Sequence, residues 1–304
     1  MYTGGYTYNN TSNPKVFKLV ETNGSLAYSI TNSTAVAAVA ALSCPTGYIV
    51  VPGSATYGTS DFCVMKYEAK NVGGVATSQA ALLPWRSLGQ ANTVTTAAAA
   101  CAGCHLITEA EWMTIAQNVL RVASNWDNGA GVHTVGTGYI YSGHNNDYPS
   151  PTTKLDADTN DSNGYYGTGA VDPSNQRRTL TLSNNEVIWD FAGNAWEWTS
   201  GSVQSPIIQP GASGGLAFRD WTAITNPGTL PINPSPAATG IAGASSWTTA
   251  QGIGRTYSNS DEVAPRGFVR GGSASGLSWA GVLSLNMSYA IGSLGSDIGF
   301  RVAK

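Results

Sequence analysis

Four cysteines are the residues best suited to chemistry in this sequence: Cys44, Cys63, Cys101 and Cys104. Cys101-Ala-Gly-Cys104 has the spacing of half a zinc site or of a dithiol redox pair, and Cys44 and Cys63 would complete four thiolate ligands. The same residues can equally form one or two disulfides or remain buried thiols. Spacing alone leaves these readings open. His105, His133 and His144 lack the i, i+4 pairing that places two imidazoles on one helix face. The run Asp156-Ala-Asp-Thr-Asn-Asp-Ser-Asn-Gly164 is spaced like a calcium loop, but it has neither the closing glutamate nor the flanking helices of an EF-hand.

A second kind of chemistry, recognition, is written in the C-terminal run from Arg270-Gly-Gly to Gly299-Phe-Arg301. Leu283, Leu285, Met287 and Tyr289 alternate there with Ser284, Asn286 and Ser288. That period of two predicts a strand with one buried face and one small polar face turned to solvent. On either side, 273–279 and 291–297 are Gly/Ser-rich and carry isolated large residues, Leu277, Trp279 and Leu294. Such loops tolerate almost any side chain and suit recognition on a rigid frame. Ser, Gly and Asn supply adaptable hydrogen bonds, and single aromatics supply rigid contact area.

The rest of the chain must position these loops. Only 11% of residues are charged and 36 are glycine, so turns and long loops should outnumber helices. A net charge of -3 gives no basic footprint for nucleic acid. No run is apolar enough to span a bilayer, and the N-terminus lacks a charged region followed by an apolar one, so neither membrane insertion nor a signal peptide is expected. Residues 1–43 hold one apolar patch, Val16 to Val20, and are expected to be a connector or docking segment ahead of a main domain over 44–304.

Within that domain, Tyr48-Ile-Val-Val-Pro52 and Phe62-Cys-Val-Met-Lys-Tyr-Glu68 read as strands. Alanine-rich 93–102 predicts a first helix ended by Gly103. Thr108-Glu-Ala-Glu111 is a capping box, and Trp112, Ile115, Ala116, Val119 and Leu120 follow on one helical face, which predicts a core-packing second helix. Trp189, Trp196 and Trp198, in the dense block from Asn185 to Trp198, are expected to anchor the core. Residues 125–175 and 200–265 read as long loop excursions.

Three blocks resemble the formylglycine-generating-enzyme superfamily: Leu106-Ile-Thr-Glu-Ala-Glu-Trp112, Asp190-Phe-Ala-Gly-Asn-Ala-Trp-Glu-Trp-Thr199, and the closing Arg270-Gly-Gly-Ser with Gly299-Phe-Arg301. The resemblance covers roughly residues 45 to 304 in matching order. It implies an α+β fold of the C-type-lectin type: a small mixed sheet, two helices, and more loop than regular structure. Within the superfamily, Phe62-Cys-Val-Met-Lys-Tyr-Glu-Ala-Lys70, Trp85-Arg-Ser-Leu-Gly89, Gly138-Tyr-Ile-Tyr-Ser-Gly-His144 and Ala280-Gly-Val-Leu-Ser-Leu-Asn-Met287 are similar to the variable proteins of diversity-generating retroelements. In that family a segment matching about 270–301 is rewritten by adenine-directed copying of a template repeat. One departure is Ala274, where the family usually has Trp, so this part of the segment is expected to pack differently.

The resemblance implies a display protein without enzymatic activity on a cell or virion surface, recognising a protein or glycan on another cell or virus. Its implied ligand-binding residues form one solvent-facing patch: Ser275, Leu277, Trp279, Ser284, Asn286, Ser288, Tyr289, Gly292, Leu294, Gly295, Ser296 and Asp297. Tyr289 is read two ways, since alternation places it beside Met287 while the family pattern makes it variable. Formylglycine-generating enzymes need a copper-binding cysteine pair between the two closing blocks. This chain has Ser284 to Ser293 there and no cysteine after Cys104, and serine cannot replace a thiolate ligand. An altered or inactive oxidoreductase and a structural tail or surface component are the competing readings. No cofactor is required. The resemblance does imply a structural calcium ion held by the carbonyls of Asp190, Gly193 and Ala195 and the carboxylate of Glu197, with a second ion at the turn from Asn163 to Tyr165. Pairing of Glu197 with Arg270 or Arg301 is the alternative.

Overall fold

The computed structural model describes the backbone of residues 7–8, 15–22 and 25–31, and residues 42–127, 129, 138–145, 176–211, 213–222, 230–232, 234 and 247–304. The chain divides into two compact units, Met1–Ala41 and Leu42–Lys304. The first contains an antiparallel sheet of the strands Thr7–Tyr8, Lys15–Thr22 and Ser25–Thr31, with Leu19 opposite Tyr28 and Thr22 opposite Ser25.

Among its described residues the second unit is α+β, with two α-helices and several small sheets. Its largest sheet has six strands in the order Ala217–Arg219, Thr256–Ser258, Leu285–Asn286, Arg266–Arg270, Trp196–Val203 and Ile298–Phe300. Parallel and antiparallel pairs mix within it, because Trp196–Val203 runs parallel to Ile298–Phe300 but antiparallel to Arg266–Arg270. A second sheet sets Val302–Ala303 between Phe62–Met65 and His105–Leu106, with Tyr48–Val51 at its edge. All four residues of Phe62–Met65 are buried, as a strand covered on both faces requires.

Helix α2, Glu109–Leu120, starts where the sequence places it. The Thr108 hydroxyl accepts from the Glu111 amide at 3.1 Å, and the Glu111 carboxylate accepts from the Thr108 amide at 2.8 Å. Trp112, Ile115, Ala116, Val119 and Leu120 are all fully buried. Trp112 stacks on Phe191 at 4.1 Å between ring centroids and donates from its indole to the Val282 carbonyl at 2.9 Å. Trp189, Trp196 and Trp198 are likewise buried.

Helix α1 is Gln90–Ala98, shifted from the expected 93–102. Its start is set by tertiary contact and not by alanine propensity. The buried Gln90 side chain donates from Nε2 to the carbonyls of Thr199 and Gly201, both at 2.7 Å, which ties the first turn to the large sheet. Its end is set by a tight turn over 101–104, where the Cys104 amide donates to the Cys101 carbonyl at 3.0 Å. A disulfide joins Cys101 to Cys104, and a second joins Cys44 to Cys63. These pairings resolve the open reading of the cysteines: all four sulfurs are in covalent pairs, so none is a thiolate for zinc.

The expected strand over Leu283 to Tyr289 is reduced to Leu285–Asn286, and its polar face is not open to solvent. Leu283, Leu285 and Met287 donate to the carbonyls of Ile253, Arg255 and Tyr257 along one edge. On the other edge, Leu285 and Asn286 pair with Arg270 and Val269. Leu283 through Met287 are all buried, so both faces are covered. No helix among the described residues is long and apolar enough to cross a membrane.

Candidate ligand-binding surface

The two ends of the C-terminal segment are fixed by buried ion pairs. Arg270 donates from Nε at 3.0 Å, and also from Nη2, to Oε2 of Glu109 in the first turn of α2. Arg301 uses all five of its N–H groups. Nε and Nη2 meet the two oxygens of Glu197 at 3.2 and 2.8 Å, Nη1 meets the carbonyls of Met65 and Lys66 at 2.9 and 3.1 Å, and Nη2 meets the Trp189 carbonyl at 2.8 Å. Both arginines are fully buried. Removing either partner of such a pair strands a charge in low dielectric, so the frame is rigid about these points.

Between the ends, one exposed loop carries Ser275, Leu277 and Trp279. Gly272, at φ +92°, lets the chain turn in: a Cβ there would meet the Ala280 Cα at 2.5 Å. Ala274 is buried against Ala195, and its amide donates to the Asn194 carbonyl at 2.8 Å. A small residue fills the place in which the resembling family carries Trp. Leu277 is 53% exposed at φ +48°, unusual for a non-glycine residue, with its amide bound to the Asn145 carbonyl at 2.6 Å. Trp279 is half-buried, stacked on Phe218 at 4.1 Å.

A second loop carries Ser288, Tyr289, Gly292, Leu294, Ser296 and Asp297. Gly292, Leu294 and Ser296 are exposed, and Leu294 is 68% accessible. Asp297 and Ser288 are half-buried, as is Tyr289, which meets Trp198 edge-on at 6.1 Å. Burial pushes the Tyr289 hydroxyl above its ordinary pKa, with the charges of Asp297 and Tyr257 acting in the same direction. The loop's backbone is held from below by three contacts: Gln90 amide to Ile291 carbonyl at 2.9 Å, Ser87 amide to Gly295 carbonyl at 3.1 Å, and Arg86 Nη1 to Ser296 carbonyl at 2.6 Å. Main-chain attachment leaves the side chains outside the frame.

Three of the expected positions are not on this surface. Ser284 is fully buried, and its hydroxyl donates to the Trp279 carbonyl. Asn286 is buried, and its side-chain oxygen accepts from the amide and hydroxyl of Ser288 at 2.9 and 2.7 Å. Gly295 is buried against Ile298, where a Cβ would collide with that side chain. The polar residues at 284 and 286 bond internally, which satisfies them without water. The other nine expected positions stay exposed or half-buried on the two loops.

Arg86, Ser87 and Gln90 are supports that no sequence pattern singles out, although Trp85-Arg-Ser-Leu-Gly89 places the first two in a block shared with the resembling family. Val94 and Ile291 are exposed apolar residues of the supporting helix and of the second loop, and sequence patterning did not single them out either.

The two carboxylates in the stretch expected to hold calcium, Asp190 and Glu197, sit in a buried charge network. Asp190 is held by Arg178 through two bonds of 2.9 and 2.6 Å, and both oxygens of Glu197 are taken by Arg301. A guanidinium with every donor engaged stands against the one carboxylate expected to bind the ion, the alternative pairing for Glu197, and no step or role is derived through calcium. Glu68 lies alongside: its Oε1 accepts from the Ala195 amide at 3.0 Å, its Oε2 from Asn194 Nδ2 at 2.5 Å, and Lys70 Nζ lies 3.9 Å from Oε2. Burial, reinforced by Asp190 and Glu197, pushes the Glu68 carboxyl up to about 8 against the opposing pull of Lys70. Burial pulls the Lys70 ammonium down. Among the described residues, no group of three or more His, Cys, Asp or Glu could hold a metal. His133, Asp156 to Gly164 and the turn at Asn163 to Tyr165 lie outside the described residues.

No family model matches the chain, and no curated protein matches it. Among solved structures it is similar to a Major Tropism Determinant I1 Variant, at 12% identity and a TM-score of 0.33, over 99% of this chain and 85% of that one.

Proposed function

We propose that this chain is a ligand-binding display protein on a C-type-lectin-type scaffold, with its recognition surface in the two C-terminal loops. One observation carries the reading. Within a single 32-residue run, the ends are locked by fully buried ion pairs, while Leu277, Leu294 and Ser296 project from loops held through their main chain. A segment built this way can change its outward side chains without disturbing its frame. The binding residues are Ser275, Leu277, Trp279, Ser288, Tyr289, Gly292, Leu294, Ser296 and Asp297. The partner is a protein or glycan on another cell or virus, met from a cell or virion surface, and the loops are diversified by a retroelement. A non-enzymatic role is supported by the cysteines, since all four sulfurs are committed to disulfides and Ser284, in the stretch where copper-binding cysteines belong, is sealed inside.

The test is sequencing of the locus in many isolates. Expected is a near-identical repeat of the segment's coding sequence beside a reverse-transcriptase gene, with substitutions confined to adenines and concentrated in the codons of the nine exposed or half-exposed residues. An invariant segment with no repeat would overturn the reading.

A further inference from the structure

Glu68, Lys70 and Asn194 meet where neither the display surface nor the ion pairs of the frame account for them. All three are buried, Asn194 fully so. Lys70 comes from the strand Ala69–Val72, whose Ala69 carbonyl accepts from Trp85. Asn194 comes from the turn before Trp196–Val203, held at φ +64° with its amide on the His144 carbonyl at 2.7 Å. One oxygen, Oε2 of Glu68, faces both nitrogens: Asn194 Nδ2 at 2.5 Å and Lys70 Nζ at 3.9 Å. The other atom of the carboxamide, Oδ1 of Asn194, is buried without a hydrogen-bond partner. An amine, a carboxamide and a carboxyl group between them, sealed from water, are the reactants and proton carrier of an amide exchange.

We propose that Lys70 and Asn194 become joined by an intramolecular isopeptide bond, with Glu68 moving the proton. With Lys70 as the neutral amine, Nζ attacks Cγ of Asn194. The Nζ–Cγ bond forms and the Cγ–Nδ2 bond breaks. Nζ gives up one proton, Nδ2 gains one, and both transfers pass through the Glu68 carboxyl. One amine and one primary amide become one secondary amide and one ammonia, so no oxidant or cofactor enters. Burial favours this chemistry in two ways. It disfavours the charged forms of both Lys70 and Glu68, leaving the amine nucleophilic and the carboxyl able to donate. It also keeps out the water that would compete for Cγ. The inference does not depend on the proposed function, because it concerns the frame and not the loops.

Intact mass spectrometry of the full-length chain, reduced and denatured after purification, tests it. The expected mass is lower than that of the sequence by one ammonia, and protease digestion should yield a branched peptide joining the segments that contain Lys70 and Asn194. Asn194→Asp should reach the same final mass by losing water, since the bond formed is identical. Glu68→Gln should remain at its full sequence mass, with circular dichroism confirming that it is folded. If folded wild-type chain yields Lys70 and Asn194 as separate unmodified peptides, the proposal is overturned. Ammonia loss without a branched peptide, such as cyclisation at another asparagine, would overturn it equally. A link that persists in folded Glu68→Gln would remove Glu68 from the reaction.

Discussion

Ser284 and Ser296 have the same side chain and lie twelve positions apart in the same run, yet the structure gives them opposite tolerance. Ser284 is fully buried, bonded to the Trp279 carbonyl and pressed against Gly254. Replacing it with Tyr forces a ring into closed packing, a cost of about 1–3 kcal/mol. Loss of the hydroxyl bond adds about 1 kcal/mol. The total of roughly 2–4 kcal/mol lowers the melting temperature of a domain this size by about 4–16 °C. Ser296 is exposed, and only its carbonyl is engaged, by Arg86. Ser296→Tyr should therefore cost under about 0.5 kcal/mol, or less than about 2 °C. Thermal unfolding followed by circular dichroism reads both. Equal shifts in the two variants would refute the division of this run into frame and surface.

Three further outcomes are expected. Trp198→Ala should destabilise by about 3–5 kcal/mol in urea titrations, because the indole is fully buried and donates to the Leu88 carbonyl at 2.9 Å. The hydrogen bond between His105 and Glu111, at 2.9 Å, raises the histidine pKa and lowers that of Glu111 despite the opposing effect of burial. The histidine contribution is complete below its ordinary value near 6.5 and fades as pH rises through the raised folded value, whereas the glutamate contribution is complete above about 4.5 and fades as pH falls through the lowered one. The melting-temperature difference between wild type and His105→Gln should thus be largest between those pH values and shrink toward pH 9, and a constant difference would contradict the pairing. Excess chelator and added calcium should leave the melting temperature unchanged; a calcium-dependent rise, which bound metal requires by mass action, would show that Arg301 does not neutralise Glu197 as described.

What the sequence disclosed and what it hid divide along local and long-range physics. Thr108 and Glu111 lie three residues apart, so the capping box is readable, and the periodicity after it correctly predicts a buried face. The Trp block is legible because three indoles in ten residues have no place on a solvated loop. By contrast, Arg270 meets Glu109 across 161 residues and Arg301 meets Glu197 across 104, separations that no local pattern encodes. Family resemblance marked the arginines and Glu197, and it left both calcium and an arginine open as the partner of Glu197. Alternation at Leu283 to Tyr289 failed for a subtler reason: Ser284 and Asn286 are small enough to satisfy themselves on nearby main-chain and hydroxyl groups, so a polar face did not mean a wet one. The start of α1 was hidden in Gln90, whose side chain reaches the large sheet.

The placement of Val302–Ala303 has a consequence for how such a chain is made. This short strand lies between Phe62–Met65 and His105–Leu106, and Lys304 exchanges two main-chain bonds of 2.8 Å with Cys63. An early part of the domain therefore waits, with an open strand edge, for residues the ribosome adds after the whole of 270–301. A reading-frame error or premature stop anywhere in that run deletes both the gap-filling strand and Arg301, leaving Glu197 buried and unpaired. Such truncated chains would keep an open strand edge beside Phe62–Met65 and are expected to be more exposed to proteolysis than the full chain.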